Sequence, residues 1–292
     1  MRLPGRGTGP SLGFLGHLDV VVARREDWSE EPFAAVERDG AIWGRGTVDM
    51  KCQVAATALA LARLAREGFE PNGDVMLLLM ADEEVGDAGV GAPFFVEARP
   101  DLLPTFVIGE GAGERYGTSA GPIYLLDHGV KATASATLTV RGRDGDASLP
   151  DAGPNAVLEL ARLLVRLADY RSPIRVLPEV APVIDAAAPG DGPPELRLAA
   201  APLRHAIEAF LADRDPEARL VPTLGYGFSD CHVFREAYGC VAHGFIPFRH
   251  ADALTNLETK HGPDERVLVD DLVFQTDAAM SVARTIGRLT GG

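Results

Sequence analysis

The sequence predicts an α/β fold, a mixed sheet flanked by helices and interrupted once by a smaller α+β unit. Three observations carry this. Strand-like apolar runs alternate with helical stretches over most of the 292 residues, as in a sheet built with crossover helices. The texture changes between residues 130 and 224, where small and apolar residues alternate and a Gly/Pro-rich stretch intervenes. The acidic and imidazole residues of interest sit just after predicted strands, the rim where open α/β sheets bind ligands. The expected order is the first part of a main domain over 1–129, an inserted domain over 130–224, and the rest of the main domain over 225–292.

The elements follow in order. Residues 12–16 (LGFLG) read as a buried strand, and 34–44 (AAVERDGAIWG) as a hairpin turning at Asp39-Gly40. Residues 50–67 are rich in Ala and Leu and predict a helix. Residues 74–81 (DVMLLLMA) are continuously apolar and predict a central strand; 105–109 (TFVIG) predict another. In the middle region, 131–141 alternate like a strand with one wet face, and 154–169 form an amphipathic helix with Pro154 at its start. Residues 187–196 read as a linker, 201–213 as a helix and 218–223 as a strand. A strand over 240–246 and a long helix over 268–289 complete the chain.

Composition narrows the function. Charge is 28 − 42 = −14, which argues against nucleic-acid or anionic-membrane partners. The apolar runs are too short to span a bilayer, and the N-terminus lacks the apolar core of a signal peptide. Cys52, Cys231 and Cys240 are an odd, sparse set rather than a disulfide framework, so a reducing cytoplasm is expected.

The chemistry lies at the strand ends. His17 and Asp19 follow the first strand in GHLD; Asp49 opens a helix in WGRGTVDMK. Glu83 and Glu84 end the 74–81 strand in ADEEVG, Glu110 ends the 105–109 strand in IGEGAG, and His261 sits in KHGPDERV. Each has an ordinary reading alone: Asp49 as a helix cap, the others as surface polarity. Together they place a potential ligand at one strand end after another. Clustered carboxylates repel unless cations neutralise them, and two divalent ions bridged by one carboxylate do so.

GHLDVV, WGRGTVDMK, ADEEVG, IGEGAG and HGPDERV, in this order, resemble the M20 metallopeptidases, which include aminoacylases, carboxypeptidases, acetylornithine deacetylases and succinyl-diaminopimelate desuccinylases. The resemblance covers nearly the whole chain. It implies a zinc-exopeptidase-like catalytic domain with an inserted ferredoxin-like lid, and a di-zinc hydrolase of N-acyl amino acids or short peptides. It assigns His17 and Glu110 to one zinc, Glu84 and His261 to the other, and Asp49 to both. Asp19 would orient His17, and Glu83 would be the general base. Cobalt or manganese could replace zinc. It also implies a homodimer through the lid.

Four departures qualify the match. Relatives carry a helix and a strand before GHLDVV; here MRLPGRGTGP reads as the end of that strand and its turn. Asp146 in GRDGDAS stands where the family has a lid histidine that steadies an oxyanion, a role an anion opposes. The lid lacks its middle hairpin and the family's carboxylate-binding arginine, leaving Arg141, Arg143 and Arg204 as nearest substitutes. Cys52 replaces a glycine, as a small buried residue or as a thiol near the metals. These departures motivate a second reading, a metal-binding but catalytically impaired or silent homologue. A mononuclear or magnesium-dependent hydrolase is a weaker third.

Overall fold

The computed structural model describes residues 1–86, 89–131, 136–146, 148–149, 153–173, 177, 178, 180, 183 and 201–291. It divides into a larger unit, Met1–Lys131 with Pro178–Gly292, and a smaller one, Ala132–Leu177.

The larger unit is built on a mixed sheet. Its strands are β1 (Arg2–Leu3), β2 (Leu12–His17), β5 (Val75–Met80), β6 (Phe106–Gly109), β7 (Arg115–Tyr116), β8 (Ile123–Val130), β9 (Arg219–Gly225) and β10 (Val241–Gly244). They lie in the order β1-β5-β2-β6-β10-β8-β7, with β9 also paired to β8. β2 runs parallel to both β5 and β6, and β6 parallel to β10. β1 is antiparallel to β5, as is β8 to β10. The 75–80 strand is therefore not central, as its apolar run predicted; it lies one strand in from the edge, beside the two-residue β1. Its continuous apolarity has another cause, burial on both faces. Val75 and Leu77 join one core while Met76, Leu78 and Met80 join the opposite one. Alternate side chains of a strand point to opposite faces, so a doubly covered strand shows no polar alternation.

Helices cover the two faces. α1 (Lys51–Arg66), α4 (Ala201–Arg214) and α7 (Val269–Gly287) pack on the first through Leu61, Leu64, Ile207, Phe210 and Phe274. α2 (Ala92–Ala98) and α5 (Cys231–Tyr238) cover the second through Val96 and Phe234. Beside the main sheet, β3 (Val36–Arg38), β4 (Ala41–Trp43) and β11 (Arg266–Leu268) form a small antiparallel sheet. Its β3–β4 turn is the Asp39-Gly40 pair, both at positive φ (53° and 73°), the conformation of a two-residue primed turn. α6 (Ala253–Thr259) leads into the 260–265 loop before β11.

The boundary predicted at residue 224 is corrected. The helix expected over 201–213 and the strand expected over 218–223 were placed in the inserted domain; they form Ala201–Arg214 and Arg219–Gly225 and belong to the larger unit. Leu203, Ala206, Ile207, Phe210 and Leu211 are buried in its main core, and β9 pairs in parallel with β8. The smaller unit holds α3 (Ala156–Asp169), capped by Asn155, whose side chain accepts from Val157 N and Leu158 N (3.0 and 3.3 Å). Pro154 precedes this cap. Of the strand predicted over 131–141, residues 132–135 lie outside the described residues and 136–141 form no regular element. The 187–196 linker also lies outside them.

One substitution tests the corrected boundary. Phe210→Ala removes a ring packed 5.0 Å from that of Phe274, and should lower the stability of the main unfolding transition by about 3–5 kcal/mol. Urea denaturation reads this directly; an unmoved main transition would return α4 to a separate domain.

Candidate metal centre

Three neighbouring strands deliver their C-terminal ends to one place. β5, β2 and β6 run side by side and parallel, so Glu83-Glu84, His17 and Glu110 emerge together. Asp49 arrives from the loop before α1, and His261 from the loop after α6. The structure brings these residues together. His17 Nε2 lies 3.1 Å from Asp49 Oδ1, 3.4 Å from Glu110 Oε2 and 3.9 Å from Glu83 Oε2. His261 Nε2 lies 3.0 Å from Asp49 Oδ2 and 3.1 Å from Glu84 Oε2. Each oxygen of Asp49 thus faces a different imidazole. Two ligand groups result, His17/Asp49/Glu110 and Asp49/Glu84/His261, with the ligand atoms of each within 4.8 Å of one another.

The helix-cap reading of Asp49 fails here, because Met50 occupies the cap position and the Asp49 carboxylate turns to the histidines. Asp19 takes two roles. Its main-chain oxygen lies 3.0 Å from His17 Nδ1, nearer than its carboxylate at 3.5 Å, and its Oδ2 accepts from Glu84 N at 3.0 Å. Nδ1–H donates to that main-chain oxygen, which leaves Nε2 of His17 as the nitrogen facing the carboxylates. Cys52 stands apart: it is buried, its Sγ donates to Val48 O at 3.3 Å, and burial pushes its thiol pKa up. Asp146 is exposed, and its Oδ1 accepts from Ser148 N and Oγ, both at 2.9 Å. Arg204 is paired with Glu208 at 2.6 Å, while Arg141 and Arg143 are exposed.

Two supporting residues escaped sequence reasoning. Glu265 is fully buried and accepts from Gly46 N (2.8 Å), Val48 N (2.6 Å), Asp49 N (3.0 Å) and Arg45 Nη1 (2.5 Å). Arg45 Nη2 donates in turn to Gly262 O at 2.8 Å. The pair clamps the loop bearing Asp49 to the loop bearing His261. Gly46 in that loop sits at φ 85°, with a Cβ there only 2.6 Å from Val20 Cγ1. Lys260 is the other, with Nζ 3.0 Å from Asp49 Oδ2. Both lie inside quoted motifs, but only a fold shows what they touch. Asp230, buried near Glu110 and His17, is a further acid whose pKa burial pushes up to about 7.

The electrostatics match a cation site. Burial opposes charge on His17, but its hydrogen bonds and charge contacts with Asp49 and Glu110 win and push it up to about 11. Burial also opposes ionisation of Asp49, yet His17, His261 and Lys260 hold its carboxyl well below the usual range. Hydrogen bonds to Asp49 and Glu84 push His261 up to about 9. Burial, then the Glu110 charge, pushes Glu83 up to about 10. Buried oxygens Glu84 Oε1 and Asp19 Oδ1 have no hydrogen-bond partner. Imidazole and carboxylate donors, with oxygens left unsatisfied, fit divalent cations.

Comparison with known proteins now defines the family. The model for peptidase family M20/M25/M40 matches residues 13–285, and the chain belongs to that family. It is similar to the succinyl-diaminopimelate desuccinylase of Delftia acidovorans, 36% identical over 173 residues, 56% of this chain and 43% of that protein. That of Maricaulis maris is 37% identical over 170 residues, 56% of this chain and 41% of the relative. The match thus spans less than half the length of these curated relatives. Among solved structures, the fold is shared with the M20 family metallo-carboxypeptidase Sso-CP2 from Sulfolobus solfataricus (TM-score 0.64, 16% identity, 98% of this chain and 87% of that one). It is shared also with the di-peptidase Dug1p from Saccharomyces cerevisiae (TM-score 0.66, 11% identity, 98% and 81%).

The shifts predict how pH acts. Metal ligands must shed their protons, so divalent-metal binding near pH 7.5 should release protons, and affinity should rise with pH towards about 9, where His261 titrates. In the metal-free chain, stabilisation from the histidine contacts is complete below their ordinary 6.5 and is lost as pH rises through about 9 and then 11. Glu83, protonated up to about 10, acts in the same direction. Metal-free melting temperature should therefore fall between pH 6 and 9. Zinc titrations in buffers of different ionisation enthalpy, with melts of the metal-free chain, read both effects.

Proposed function

We propose that the chain is a two-metal amide hydrolase acting on N-acyl amino acids or short peptides that carry a free carboxylate. The observation that carries this reading is Asp49, whose two oxygens face two separate sets of ligands. In it, His17, Asp49 and Glu110 hold one cation and Asp49, Glu84 and His261 the other. Zinc suits the imidazole and carboxylate donors, and cobalt or manganese could replace it. A cation pair so held would polarise a scissile carbonyl and make a water acidic near neutral pH.

The protein's own groups supply the rest. Glu83 belongs to neither ligand group, and its Oε2 lies 3.9 Å from His17 Nε2. It is the general base: its carboxylate takes a proton from the attacking water and passes it to the leaving amide nitrogen. Its pKa, near 10 in the metal-free chain, falls when cations neutralise Glu110 beside it. Asp19 orients His17 and, through Glu84 N, the start of the Glu84 turn.

The desuccinylase relatives favour an N-acyl group carrying its own carboxylate as the substrate class. The proposal includes a homodimer through the inserted unit, supported by the exposed Val157, Val165 and Leu167 of α3. It places the chain in a reducing cytoplasm, in keeping with three free cysteines; no helix among the described residues is long and apolar enough to cross a membrane. Asp146 in place of a histidine favours a second reading, a homologue that binds metal without turnover.

Glu83→Gln separates them. It should lower kcat by at least about 10²-fold, while bound metal per chain stays at the wild-type value. Hydrolysis of N-succinyl and N-acetyl amino acids and dipeptides, with metal analysis of each sample, measures both. Wild-type metal binding without turnover on any substrate supports the silent homologue. Undiminished turnover in Glu83→Gln overturns the mechanism.

A further inference from the structure

Lys260 is the C-cap of α6 and the residue immediately before His261. Its backbone is fixed by a hydrogen bond from its own N to Asn256 O at 2.9 Å. Its ammonium is turned inward, with Nζ 3.0 Å from Asp49 Oδ2 and the side chain only 26% exposed. That oxygen also faces His261 Nε2 at 3.0 Å. The other oxygen, Oδ1, faces His17 instead. Among the described residues, no other lysine or arginine pairs with Asp49, Glu83, Glu84 or Glu110. The two ligand groups are therefore unequal. One carries a built-in cation and the other does not.

We infer that Lys260 is a resident counter-ion of the Asp49/Glu84/His261 site, which a metal must displace from Asp49 Oδ2 to bind there. The inference rests on the two-metal reading of the site and concerns the order and strength of loading. An ammonium 3.0 Å from Asp49 Oδ2 and a divalent ion on the same oxygen repel one another, and that repulsion is strong in a partly buried setting. Displacing the ammonium removes an attraction that the metal-free chain enjoys. The cost falls mainly on the Glu84/His261 side, because Lys260 Nζ contacts the Asp49 oxygen that faces His261. The His17/Glu110 side should load first and tightly, the other second and more weakly. In the metal-free chain the same ammonium offsets the repulsion among Asp49, Glu84 and Glu110. One lysine thus stabilises the metal-free fold and opposes its second metal.

These opposite effects make the inference testable. Wild type, Lys260→Met and Lys260→Arg are titrated with Co²⁺ alone, following visible absorption and heat, and the metal-free proteins are melted. Lys51→Met serves as a control, since Lys51 contacts Leu18 O rather than a ligand carboxylate. Lys260→Met should tighten the second Co²⁺ equivalent by about tenfold or more, leave the first nearly unchanged, and melt lower than wild type without metal. Lys260→Arg should keep the unequal loading, and it remains informative should Lys260→Met not fold. A second equivalent unchanged or weakened in Lys260→Met, or two equal equivalents in both wild type and Lys260→Arg, overturns the inference. If wild type binds two Co²⁺ and only the lysine effect is missing, the metal reading stands and this inference alone falls. If folded wild type binds no Co²⁺, both fall.

Discussion

Repulsion among buried carboxylates is the constraint on which the site depends. Asp49, Glu83, Glu84 and Glu110 converge with side chains that are each less than a tenth exposed. Water is too scarce there to screen them, so like charges so placed require cations or protons. The metal-free chain uses protons on His17, His261 and Glu83, together with the Lys260 ammonium. The proposed metals replace the protons and compete with the ammonium. The shifted groups, the unsatisfied oxygens and the inward lysine thus have one origin.

The fold meets this constraint by supplying rigid backbone around mobile charge. Three parallel strands fix His17, Glu83-Glu84 and Glu110 on adjacent ends of the main sheet. Asp49 and His261 come from loops, and loops need holding. Glu265 and Arg45 do this, joining residues 44–49 to 260–265 through buried hydrogen bonds. A carboxylate that satisfies three backbone N–H groups and a guanidinium at once is fully paired, so its burial is tolerable. The small sheet belongs to the same arrangement, because β11 begins directly after Glu265.

Much of this was legible in the sequence, for identifiable reasons. The strands ending in His17, Met80 and Gly109 are short apolar runs that stop at acids or imidazoles, a sharp enough contrast to read directly. The Asp39-Gly40 turn carries its own conformational signature. The seven site residues were named from motifs, and the structure brings them together. Other features were hidden. β8 (IYLLDHGV) mixes buried Leu126 with buried Asp127, whose Oδ2 accepts from Ala112 N at 2.9 Å, so its pattern does not look like a strand. Helix 201–214 is apolar on one side whichever layer buries it, so periodicity could not assign it to a domain. Lys260 and Glu265 look like ordinary surface charges until the loops around Asp49 and His261 are folded together.

The most direct test of the account is to locate the cations themselves. Crystals of zinc-reconstituted protein, with anomalous data collected on both sides of the zinc edge, should show two peaks sharing Asp49. One should lie between His17 and Glu110, the other between Glu84 and His261. A single peak that excludes Asp49, or a folded, zinc-soaked protein with no peak near these residues, would contradict the claim that paired cations balance this carboxylate cluster.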